Sequence, residues 1–94
     1  MDFFARLINA LSNETRLEIV QNLVKDQKLS LEEIVMRIDR PYKTVAGHLK
    51  TFEKSGFLKS QRYKGEVLYS LNAPTSIYYN RVFVHFVQKR MGEK

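Results

Sequence analysis

Lys43, Gly47, Lys50 and Lys54 recur at intervals of three and four, the spacing that stacks side chains on one face of a helix. Tyr42, Thr44 and Thr51 fall beside them. Ammonium groups on such a face hold a polyanion, while hydroxyls and an aromatic edge contact whatever lies between the charges. A glycine inside a helix costs about 1 kcal/mol against alanine. At Gly47 it either lets the backbone approach a target closely or is tolerated without a role, and the sequence leaves both readings open.

Charge placement supports a polyanionic partner. The 94 residues carry a net charge of +6. Between Arg37 and Glu66 lie eight cations (Arg37, Arg40, Lys43, Lys50, Lys54, Lys59, Arg62, Lys64) against three anions (Asp39, Glu53, Glu66), a net of +5. The remaining 64 residues hold eight cations and seven anions, a net of +1. Nearly all the excess therefore sits in one third of the chain, where it can act as a local field.

Other chemistries lack their parts. With no cysteine there is no disulfide, thiolate metal site or cysteine nucleophile. His48 and His85 each stand alone and read as packed or surface residues, whereas a zinc site needs three or four donors together, so no metal or other cofactor is expected. No glycine-rich phosphate loop or nucleophile motif occurs, and Glu32 and Glu33 read as helix-cap residues, so no enzyme is expected. The apolar stretches run only a few residues, far short of the roughly 20 a membrane span needs, and no signal-peptide pattern precedes the first helix. The expected location is cytoplasmic, without a membrane partner.

The elements that must present the cationic face follow from periodicity and caps. Phe3, Phe4, Leu7, Ile8 and Leu11 form an apolar stripe at helical spacing. Ser12 and Asn13 can cap a second helix over 14–25, with Leu17, Val20, Leu23 and Val24 on one face and Ile19 beside them. Ser30 and Glu33 have capping-box spacing at the start of a third helix, 31–38. Pro41 ends that run and suits the first turn of a fourth helix, 41–55, stopped by Gly56. Within it Val45, Leu49 and Phe52 form the buried stripe, opposite the lysines.

Beyond Gly56 the period falls to two. Strands are predicted over 58–63 and 67–71 around a "KGE" tip at 64–66, and a last helix over 76–91; the valines and phenylalanines at 82–87 also read as a strand, but the length of the segment and its polar residues at 80, 81, 85 and 88–90 favour the helix. Eight of the eleven residues from Ile77 to Val87 are apolar or aromatic, too many for a helix with a wet outer face. Something must cover it. The predicted fold is mainly α with a small β-hairpin wing, in the order α-α-α-α-β-β-α: a winged helix-turn-helix in one domain, 1–94, with the helix-turn-helix at 31–55 and the wing at 57–71.

Three ordered stretches, "ALSNETRLEIVQNLV" at 10–24, "VAGHLKTFEKSGFL" at 45–58 and "GEVLYSL" at 65–71, resemble the signatures of ArsR/SmtB-like transcriptional repressors. The resemblance covers residues 4 to about 71. It implies a homodimer in which the first and last helices, 1–12 and 76–91, pair across a two-fold axis, and an imperfect palindrome in double-stranded DNA as the partner. Ala46 and Gly47 precede His48 and Leu49 where many relatives have a serine, which removes a hydroxyl from the reading face. The cysteine motif and the paired His and carboxylate ligands of the family's metal sensors are absent.

On this reading Arg40, Lys43, Lys50, Lys54 and the wing residues Arg62 and Lys64 hold phosphates. Tyr42, Lys43, Thr44 and Thr51 read bases, with Gly47 allowing close approach. Phe3, Phe4, Leu7, Ile8, Tyr78, Tyr79, Val82, Phe83 and Phe86 form the dimer face; the alternative is that Tyr78, Tyr79, Phe83 and Phe86 fill the core of a single protomer. A competing reading is a winged helix that docks a protein partner through its apolar last helix without specific DNA binding.

Overall fold

The computed structural model describes residues 2–92, with side chains described as far as Phe83. Four helices, a three-stranded sheet and a long closing helix follow in order: α1 Phe3–Ala10, α2 Glu14–Asp26, β1 Leu29–Ser30, α3 Leu31–Arg37, α4 Tyr42–Lys54, β2 Leu58–Tyr63, β3 Glu66–Leu71 and α5 Ala73–Gly92. Each start has a local cause. The Asp2 carboxylate accepts from Ala5 N–H at 2.7 Å to open α1, and the Asn13 amide oxygen accepts from Arg16 N–H at 3.1 Å to open α2. At α3 the Ser30 hydroxyl accepts from Glu33 N–H at 3.1 Å while the Glu33 carboxylate accepts from Ser30 N–H at 2.9 Å, a complete capping box.

The end of α4 is equally local. Gly56 has φ +82°, its N–H donates to the Glu53 carbonyl at 3.1 Å, and Phe57 N–H donates to the Phe52 carbonyl at 2.9 Å. This is a Schellman stop. The rings of Phe52 and Phe57 then meet at 5.6 Å. Between the wing strands Lys64 and Gly65 have φ of 49° and 81°, with Tyr63 opposite Glu66. That is a two-residue turn of the type whose twist suits a hairpin, so Glu66 belongs to β3 rather than to the turn.

Two expectations need correction. The sheet has three strands, in the order β1-β3-β2, because Leu29 and Ser30 pair antiparallel with Tyr69 and Leu68. Two residues are too few to show a period of two. The last helix starts at Ala73, not at 76, because proline is accommodated in a first turn, where its missing N–H had no partner to lose. Its start is tied down by Asn72, whose side-chain amide donates to the Gly56 carbonyl at 2.6 Å, and by buried Thr75, whose hydroxyl donates to the Phe57 carbonyl at 2.7 Å.

One core joins these elements. Leu7, Ile19, Val20, Leu23, Ile34, Ile38, Val45, Leu49, Phe52 and Leu58 are all buried in it. The inner face of α4 is therefore committed to packing, which fixes the direction its outer face points.

Candidate nucleic-acid interface

Val45 and Leu49 are 0% exposed and Phe52 1%, while Tyr42, Lys43, Thr44, Gly47, Lys50, Thr51 and Lys54 are all exposed. All seven α4 residues of the candidate site are thus exposed; at about 100° per residue six of them share one side of the helix, and Tyr42 lies at the edge toward the buried stripe. A Cβ added at Gly47 would have nothing within 4 Å, so packing inside the protomer does not demand glycine there. The Thr51 hydroxyl donates back to the Gly47 carbonyl at 3.1 Å, leaving its oxygen as an outward acceptor.

Ion pairing separates the cations of this region. Arg37 pairs with Asp26, and Arg40 reaches back to Glu18 at 3.8 Å and Glu14 at 4.0 Å on α2. Arg40 therefore sits beside two carboxylates of α2 at the start of α4, unlike the other cations of the candidate site. Among the described residues no carboxylate lies within 4 Å of the charged end of Lys43, Lys50, Lys54, Lys59, Arg62 or Lys64. Of the eight cations between Arg37 and Glu66, the six without a carboxylate partner among the described residues all lie on α4 and the wing.

Strand alternation sorts the wing residues. Ser60 faces α4, since its hydroxyl donates to the Glu53 carboxylate, and Arg62 lies on the same face two residues on. Lys59 lies on the other face, along a groove with Gln27 and Lys28. Lys64 occupies the turn, its ammonium 5.4 Å from the centre of the exposed Tyr63 ring. Behind the wing, burial, then the Glu53 carboxylate and Tyr42, push the Tyr69 phenol above its usual range, so it stays a neutral packing residue.

Sequence reading missed one contact, because it joins residues 32 positions apart: Arg16 Nε donates to His48 Nδ1 at 3.1 Å. Burial, and then the Arg16 charge, hold the His48 ring below its ordinary 6.5, as an acceptor must be neutral to take this bond. Among the described residues no group of three or more His, Cys, Asp or Glu side chains is placed to hold a metal ion, and no helix is long and apolar enough to cross a membrane.

The apolar face of α1 and α5 divides. Leu7 is 0% exposed, Val82 6% and Tyr79 7%. Most of the surface of these three is already used inside the protomer, which leaves the exposed part of the expected dimer face to its other members. Phe3, Phe4 and Tyr78 are half-buried, with Phe3 edge-on to Phe57 at 5.0 Å and Phe4 to Tyr78 at 5.4 Å. Ile8 and Phe83 remain 43% and 54% exposed, and Ile77, which the sequence reading did not select, 56%. Phe86 lies outside the residues whose side chains are described.

No protein-family model matches the chain. It is similar to the transcriptional repressor PagR of Bacillus anthracis, 33% identical over 70 residues that span 74% of this chain and 70% of that one. The crystal structure of PagR superposes with a TM-score of 0.72 at 29% identity, covering 84% of this chain and 90% of that one. The crystal structure of the transcriptional repressor BigR from Xylella fastidiosa gives 0.74 at 26% identity, over 87% and 84% of the two chains. An uncharacterized HTH-type transcriptional regulator of Methanocaldococcus jannaschii is 29% identical over 59 residues, 63% of this chain but 15% of that longer protein.

Proposed function

The chain belongs to the ArsR/SmtB-like family of winged helix-turn-helix transcriptional regulators, and from that premise we propose that it is a homodimeric repressor binding a two-fold symmetric DNA operator. The observation that carries the proposal is the division of α4. One face is fully buried in the protomer, and the other exposes Lys43, Lys50 and Lys54 around Gly47, with no carboxylate partner among the described residues. A helix so held is a rigid cationic ridge about 10–12 Å across, the width a major groove of about 12 Å admits.

In this reading the lysines hold backbone phosphates, which position the helix, while Tyr42, Thr44 and Thr51 meet base edges and thymine methyl groups. The bare backbone at Gly47 lets the helix sit deep. Arg62 lies along the same side as α4 and Lys64 at the wing tip, both placed to follow the neighbouring strand. Ile8, Ile77, Phe83 and the half-buried Phe4 and Tyr78 offer a partner copy the apolar surface that pairing needs. Repression then follows from occupancy of the operator, and a cytoplasmic location goes with a DNA partner.

Anisotropy titration of a labelled random duplex at two salt concentrations tests the proposal. Micromolar binding that weakens steeply with salt is expected; absence of binding at low salt contradicts it. Light scattering at micromolar concentration is expected to give twice the 11.1 kDa chain mass.

A further inference from the structure

A cavity of about 240 Å³ opens between α1, α2 and α4, lined by Arg6, Asn9, Ala10, Arg16, Thr51, Phe52, Ser55 and Phe57. Its lining includes two arginines and no carboxylate, and no carboxylate among the described residues pairs with either arginine. Both are held in place. The Arg6 guanidinium stacks over the Phe3 ring, 5.5 Å from its centre. Arg16 is anchored through Nε to His48 at 3.1 Å, which leaves its two terminal nitrogens, the fork that matches a phosphate.

Position on α4 decides the ligand. At about 100° per residue from Val45, Lys43, Lys50 and Lys54 lie near 140–180°, Gly47 near 200°, and Thr51, Ser55 and His48 near 240–300°. The arginine cavity therefore opens on the flank of Gly47 opposite the lysines. A helix in a major groove has one phosphate strand on each side, and the lysine row serves only one of them. Resting on the DNA-binding reading above, the geometry points to Arg6 and Arg16 as a phosphodiester clamp for the second strand, so that Gly47 lies between two cationic walls. Because Arg16 also holds His48, the clamp is built onto the recognition helix itself.

The test is the salt dependence of random-duplex binding for the full chain and for Arg6→Gln, Arg16→Gln, Lys50→Gln and the remote charge control Lys25→Gln. Each arginine variant is expected to bind about tenfold more weakly and to flatten the slope of log K against log salt by about one, while Lys25→Gln changes the slope less. Arg6→Gln removes an exposed side chain and keeps the fold intact should Arg16→Gln destabilise it. An unchanged slope in Arg6→Gln together with a reduced one in Lys50→Gln overturns the clamp and leaves the DNA-binding reading standing; absence of duplex binding by the parent overturns both. A melting shift of the parent by inorganic phosphate that is lost in Arg6→Gln, with duplex slopes unchanged, assigns the cavity to the free ion and also overturns the clamp.

Discussion

Arg16 on α2 donates through Nε to Nδ1 of His48 on α4, at 3.1 Å. The bond fixes the rotation of α4 against the scaffold from the side opposite its lysines. It also requires a neutral ring.

Acid therefore loosens the scaffold around α4. The fold holds the His48 ring below its ordinary 6.5, by burial and then by the Arg16 charge, so the unfolded chain binds the proton more readily. Stability from this group is present above about pH 6.5 and is lost as the pH falls below it. Between pH 7.5 and 5.5 the melting temperature is expected to fall further in the parent than in His48→Asn, whose amide oxygen can take the Nδ1 position as a non-titrating acceptor for Arg16. Equal falls in the two proteins would remove His48 as the cause.

Gly47→Ala separates stability from binding. With open space around the added methyl group, the substitution is expected to stabilise the fold by about 0.5–1 kcal/mol in thermal or denaturant unfolding. It should weaken duplex binding, by about tenfold if the backbone sits against base edges. A more stable variant that binds as tightly as the parent shows that glycine is merely tolerated there.

Apolar residues of α1 and α5 should fail in different ways. Leu7→Ala empties a fully buried site and is expected to cost about 2–5 kcal/mol in unfolding. Ile8→Asp and Phe83→Asp place charge on exposed positions, so the protomer fold should survive while light scattering shifts toward monomer. A dimer that persists in both aspartate variants would locate the interface elsewhere.

Arg40 and Lys50 should differ in salt dependence although each is one cation. Arg40 is already engaged by Glu18 and Glu14, so Arg40→Gln is expected to leave the slope nearly unchanged, against a fall of about one for Lys50→Gln. Equal falls would mean that Arg40 leaves its carboxylates on binding.

Features with local causes were legible in the sequence. The Ser30–Glu33 capping box, the Gly56 stop and the buried stripe of Val45, Leu49 and Phe52 each depend on a few neighbouring residues, and all three form as their spacing predicts. The features that escaped are set by packing at a distance. Leu29 and Ser30 become a strand only because β3 lies beside them. Whether Leu7 or Ile8 faces the core depends on where α5 docks, and one residue step around a helix separates the two outcomes. Arg40 looks like any other basic residue until α2 brings Glu14 and Glu18 to it, and nothing short of the fold could join Arg16 to His48.

The most direct measurement is the salt dependence of random-duplex binding by the parent and by the combined Lys43→Gln, Lys50→Gln, Lys54→Gln variant, with equal melting temperatures as the control. Loss of all three ammonium groups is expected to reduce the slope of log K against log salt by about three. A parent that does not bind duplex, or a variant with the parent's slope, would contradict the placement of DNA on the outer face of α4.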